Sequence, residues 1–112
     1  MQADDRVRLH HMVEAINEAL TFSAGRSRER LEDDRMLVLA LIKDLEIVGE
    51  AANKVTNETR TLLPSIPWND IIGMRNHLIH GYFDVDLDLV WDTVTKDLPT
   101  LLSQLEQALK AH

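Results

Sequence analysis

The sequence predicts an all-α protein, an antiparallel bundle of four longer helices and one short helix, in a single domain over residues 1–112. Three observations predict it. Apolar residues recur at helical spacing through nearly the whole chain, which gathers them on one face of each segment. Only 4 Gly and 3 Pro interrupt the chain, and there is no repeat or low-complexity tract. The one stretch of period-two alternation, Asp84-Val85-Asp86-Leu87-Asp88-Leu89, runs into a helical stripe that begins at Leu87, which argues against a strand there.

The first helix carries the stripe Leu9, Met12, Val13, Ile16, Ala19 and Leu20, with Asp4 or Asp5 as candidate cap and Gly25 as a natural stop. The stretch after it holds Arg26, Arg28, Arg30 and Arg35, largely cancelled by Glu29, Glu32, Asp33 and Asp34, and reads as a solvated loop and helix start. The second long helix shows Val38, Leu41, Ile42, Leu45, Val48, Ala52 and Val55 on one face, while Met36, Leu37, Leu39 and Ala40 add apolar surface on others. Such a helix is either central in the bundle or covered by another subunit.

Asn57 to Leu63 fits a short helix ended by Pro64. Pro67 then stands where a first helical residue belongs, and the next helix runs to about His80, with Gly81 marking its end. Asp84 or Asp86 can cap the last helix, whose stripe is Leu87, Val90, Trp91, Val94, Leu98, Leu101, Leu102, Leu105 and Leu109. Pro99 lies inside that pattern and is expected to cost one backbone hydrogen bond and bend the helix.

Composition narrows the chemistry. Cysteine is absent, which excludes disulfides, thiolate catalysis and cysteine-ligated metals and suits a reducing cytosol. With no signal-peptide pattern and no apolar run long enough for a membrane, the expected location is cytoplasmic. A formal net charge of −7 opposes general affinity for nucleic acid, so any activity on RNA has to come from a local site.

The informative segment is Ile71-Ile72-Gly73-Met74-Arg75-Asn76-His77-Leu78-Ile79-His80-Gly81-Tyr82-Phe83. On an ideal helix Trp68, Ile71, Ile72, Leu78 and Ile79 define the core stripe, and Arg75 falls near its middle. A guanidinium cannot shed its charge, so there it must be paired or line a wet cleft. The bland reading is an ion pair with Glu46 or Glu50 for Arg75, and a helix-terminal histidine for His80. Asn76 and His80 share a face, however, and Arg, Asn and His within six residues suit another task. Arginine holds a phosphate bidentately and histidine moves a proton near neutral pH, which suffices for cleavage of RNA by its own ribose 2′-hydroxyl. Arg75 and His80 lie roughly 140° apart on a helix, so they converge only around a groove or if the helix loosens near Gly81. His77 points away from the core and reads as exposed and incidental.

Metal readings fail. His77-x2-His80 has no Glu-x2-His partner helix, and the Asp84, Asp86, Asp88 series has Leu89 and Thr95 where a calcium loop needs glycine and glutamate. No cofactor motif appears, neither a Gly-rich phosphate loop nor a nucleophile elbow.

Arg75-x4-His80-x-Tyr82, with the blocks Glu46-Ile47-x-Gly49-Glu50, Ile66-Pro67-Trp68 and Asp86-x-Asp88-Leu89-Val90-Trp91, resembles the signature of HepT-like HEPN toxins, along essentially the whole chain. The resemblance implies a HEPN-like homodimer with two motifs facing across a cleft, acting as a metal-independent endoribonuclease on tRNA or mRNA in a type VII-like toxin–antitoxin pair. It implies that Arg75 holds the scissile phosphate, His80 acts as general base or acid, and Asn76 orients substrate or His80. Tyr82 matches the tyrosine to which a cognate minimal nucleotidyltransferase antitoxin transfers AMP, adding bulk and negative charge where an RNA phosphate must sit. Two other readings stand beside this one. A non-catalytic module could use the same cleft to bind a nucleotide or a partner, or the chain could be a structural helical dimer with a paired Arg75.

Overall fold

The computed structural model describes residues 1–79 and 84–112, and the fold is all-α. The elements are α1 (Ala3–Ser23), α2 (Arg30–Asp33), α3 (Arg35–Lys54), α4 (Asn57–Leu62), α5 (Trp68–Leu78), α6 (Leu87–Asp92) and α7 (Leu98–Ala111), with a π-helical turn, Thr93–Asp97, joining the last two. The short α2 was not expected as a helix. There Arg30 pairs with Asp34, while Arg28 pairs with Glu32 and, at 2.6 Å, with Asp88 of α6. Two of the four arginines in the basic cluster are thus paired with carboxylates, while Arg26 donates to the Phe22 carbonyl.

α3 is the central helix, one of the two placements that its several apolar faces allowed. It packs along α1 on one side and α5 on another, and reaches α2 and α6 as well. Leu41, Leu45 and Val48 are sealed between these neighbours, while Met36 and Leu39 stay exposed at 83% and 49%. Asp34 caps α3 by accepting the Leu37 N–H at 3.0 Å. α1 runs antiparallel to both α3 and α7, with Leu9, Met12, Ile16 and Ala19 inside. Arg6 near its start donates to the Leu109 carbonyl at the far end of α7, supplying a cation and a donor to a helix C-terminus.

Neither Asp4 nor Asp5 caps α1. The residue ahead of the helix is Gln2, which makes no capping bond. Asp5 is instead 1% exposed and turned into the bundle, where it accepts from the Thr56 N–H (3.0 Å), the Thr56 hydroxyl (2.6 Å) and the Thr59 hydroxyl (2.5 Å). Thr56 is the N-cap of α4, so one carboxylate ties the start of α1 to the α3–α4 turn. Gly25 does end the α1 region, in the left-handed conformation at φ 73°.

At Pro99, where a bend was expected, the helix is interrupted by the π turn just before it. Leu98 N–H reaches back to Thr93 O, one residue further than in an α-helix, and Pro99 then falls in the first turn of α7, where no N–H is required. Val90, Val94 and Leu98, at steps of four, all remain buried across this turn.

A second buried carboxylate has no such reward. Asp44 of α3 is 1% exposed, its Oδ2 lacks a partner, and it faces Glu18 of α1. Burial, with a hydrogen bond to Glu18 and that group's charge, pushes its pKa up to about 7. The folded value lies above the unfolded one, so stability is full below about pH 4 and falls as pH rises through 7. Asp44→Asn is therefore expected to stabilise the protein at pH 8, by on the order of 2 kcal/mol, and to change little at pH 4. Tm measured against pH checks this. An equal shift at both pH values would disprove the protonation argument.

Candidate active site

α5 positions the motif. Pro67 sits at its N-cap, one place earlier than expected, and its carbonyl takes the Ile71 N–H at 3.1 Å. Trp68 follows, buried, with its indole N–H donating to Leu63 O at 3.1 Å. Trp68, Ile71 and Leu78 face the core, and Ile72 and Met74 are partly covered.

The helix stops at Leu78 instead of near His80. Ile79 is extended (φ −120°, ψ 118°) and forms an antiparallel bridge with Val85, while the Asp86 N–H claims the Leu78 carbonyl at 2.9 Å. That carbonyl would otherwise accept the next turn of helix, so the competing bond ends α5. Asp86 also caps α6, as expected, accepting the Leu89 N–H at 3.0 Å. The angle of 140° between Arg75 and His80 assumed a continuing helix, and the described helix ends at Leu78. His80 and Tyr82 themselves lie outside the described residues, as do Gly81 and Phe83.

The helical angle puts Arg75 on the core stripe, where it has to be paired or wet, and it is both paired and exposed. Its side chain is 57% exposed, at the edge where α5 meets α3, and its Nε donates to Glu46 Oε1 at 2.9 Å. Of the two carboxylates foreseen as partners, Glu46 is the one used. The arginine lies in the last turn of α5, where a long side chain can carry its head out of the core stripe to water. Asn76 is exposed on the next face, and His77 is exposed as expected. His77 contributes to the wall of a cleft of about 670 Å³ between α5 and the α6–α7 rod, floored by Ile71, Leu98 and Leu101. Neither Arg75 nor Asn76 lines that cleft. Among the described residues no three His, Asp or Glu side chains gather into a metal-binding set, and no helix is long and apolar enough to cross a membrane.

Gly49 of α3 is the contact that sequence reasoning missed. A Cβ there would stand 3.2 Å from the Ile71 carbonyl oxygen, a backbone atom, so glycine lets α3 and α5 approach closely one turn from the Glu46–Arg75 pair. Gly49→Ala sets two effects against each other. Helix propensity gains about 1 kcal/mol and overpacking costs about 1–3 kcal/mol, so net stability should move by no more than about 2 kcal/mol. A displaced α5 should nevertheless lower activity roughly tenfold, because sub-ångström misplacement of a binding group is expensive. Thermal melts beside RNA-cleavage rates test this, and unchanged rates would show that the close approach does not set the site.

Comparison with known proteins agrees with the ribonuclease family that the sequence resembles. A protein of Methanocaldococcus jannaschii that carries the name of an RNase is 33% identical over 103 residues, covering 92% of this chain and 94% of its own. One named as ribonuclease HepT in Thermococcus cleftensis is 37% identical over 102 residues, 91% and 93% of the two chains. An RNase-named protein of Caldanaerobacter subterraneus subsp. tengcongensis is 34% identical over 102 residues, 91% of each. No solved structure gives a significant match. The family model described as Ribonuclease HepT-like matches residues 12–108, from the middle of α1 almost to the end of α7, and the chain belongs to that family.

Proposed function

We propose that this chain is a metal-independent endoribonuclease toxin, cutting tRNA or mRNA through Arg75, Asn76 and His80 and silenced by transfer of AMP to Tyr82. The observation that carries the reading is Arg75 itself. A guanidinium in the last turn of α5, more than half exposed and held through Nε alone among its described contacts, is presented for a phosphate and not consumed by the core. Five residues later the sequence supplies an imidazole, and the family of ribonucleases supplies the class of reaction.

In the proposed step the ribose 2′-oxygen forms a bond to phosphorus while the bond to the 5′-oxygen breaks. A base takes the 2′-hydroxyl proton, an acid gives one to the departing 5′-oxygen, and a cyclic phosphate remains. Arg75 neutralises the charge that grows on the non-bridging oxygens, His80 carries protons, and Asn76 orients the ribose or the imidazole. The chain acts as a homodimer; the uncovered Met36 and Leu39 on central α3 support an unmet packing demand in the single chain. Its partner in the cell is a nucleotidyltransferase antitoxin, which passes AMP from ATP to the Tyr82 oxygen and releases pyrophosphate.

The test is cleavage of total tRNA in EDTA by unmodified protein of measured oligomeric mass, beside His80→Ala. The wild type should cut, and the variant should lose about 100-fold or more of the rate, as expected for a proton-transfer group. Co-expression with a nucleotidyltransferase encoded beside it should add the mass of AMP to the peptide holding Tyr82 and abolish cutting. A folded, unmodified dimer that leaves tRNA and mRNA intact would favour a binding module instead.

A further inference from the structure

Glu46 stands on the inner side of Arg75. Its side chain is 24% exposed against 57% for the arginine, and it meets the guanidinium at Nε, 2.9 Å from Oε1. Nε is one corner of a planar fork, and a single bond there leaves the two terminal nitrogens on the opposite edge, the pair that grips a phosphate bidentately. Glu46 is in turn fixed by its place on central α3, one turn before Gly49, where the backbones of α3 and α5 come into contact. A carboxylate so close to a phosphate site repels RNA, so affinity alone would be better served by a neutral neighbour. Its placement makes sense if orientation of the guanidinium matters more than the charge it cancels.

We infer that Glu46 is a positioning residue for RNA cleavage, holding the Arg75 guanidinium by Nε so that its outer edge meets the scissile phosphate. The inference rests on the ribonuclease reading above, and the experiment separates the two. Glu46→Gln keeps an oxygen that can accept from Nε and removes the charge. Its kcat should stay within about threefold of wild type, with a lower KM for RNA, because only the repulsive term is lost. Glu46→Ala frees the guanidinium, and kcat should fall about 10–100-fold with no rise in KM and little change in Tm. Placed on Arg75→Ala, the same change should cost nothing further, since a residue acting through Arg75 has nothing left to act on. The Arg75 Nε–Hε signal in a nitrogen–proton correlation spectrum reads the same contact without RNA; it should shift and broaden in Glu46→Ala and be largely restored in Glu46→Gln.

Full kcat in Glu46→Ala, an equal further loss on the Arg75→Ala background, or an unmoved Nε signal would each overturn the inference. Wild type that does not cut RNA, or Arg75→Ala that cuts equally well, would sink the ribonuclease reading; the Nε signal would then decide by itself whether Glu46 fixes the guanidinium.

Discussion

Arg75→Ala is expected to lower the rate of RNA cleavage by about 10²–10³-fold, the usual cost of removing one preorganised donor from a developing oxyanion. Arg75 is largely exposed and its ion pair is a surface contact, so stability should hardly change. That combination separates this substitution from a folding defect. Arg75→Lys should recover little, because an ammonium is a point donor that cannot hold Glu46 through Nε and a phosphate through a second edge at once. Single-turnover rates on a defined tRNA, beside a thermal melt of each variant, provide the check. A fall in Tm that tracked the fall in rate would assign Arg75 to the structure and return it to the bland reading.

Asp5→Ala should give the largest loss of stability for a single polar side chain, about 3–5 kcal/mol, since three donors would lose an ionised acceptor in a buried place. Burial on its own raises this carboxyl's pKa, but the bonds from Thr56 and Thr59 outweigh it, and the net value is lowered. The sign follows from that direction. The stabilisation is complete above the unfolded value near 4 and disappears as pH falls through the folded value. Wild type should therefore lose stability in acid over a range where Asp5→Asn does not, and urea titrations between pH 2 and 7 would reveal the difference. Parallel curves would mean that the threonine bonds do not depend on the charge.

The bundle itself was legible in the sequence because its stripes are long. Leu9 to Ala19, Leu41 to Val48 and Leu98 to Leu105 announce buried faces with no reference to their partners. Asp86 was legible as a cap for a similar reason, since the signal is local. Asp5 was misread because a carboxylate near a helix start usually serves that helix, and only the fold brings Thr56 and Thr59 beside it. The end of α5 was placed too late because the bond that stops it comes from Asp86, eight residues on. The helical angle put Arg75 on the core stripe and left its burial open, because an angle takes no account of how far a long side chain can reach at a helix end. Glu46 was within view as one of two partners, but choosing it over Glu50 needed the register of α3 on α5. His80 and Tyr82 rest on the sequence signature alone.

The π turn at Thr93–Asp97 divides the last rod into two parts with different allegiances. α6 answers to α3 and α5, whereas the turn and α7 answer to α1. An extra residue within a helix acts as a phase shifter: it rotates everything upstream relative to everything downstream by about 100°. Length between Leu87 and Asp97 is thus an angular setting. Losing one residue there would leave the amphipathic stripe of α7 on its own neighbour, but would swing Asp86 and Val85 away from Leu78 and Ile79. The clasp at the end of α5 depends on a residue count some ten positions away. Relatives that alter this stretch should do so in compensating pairs.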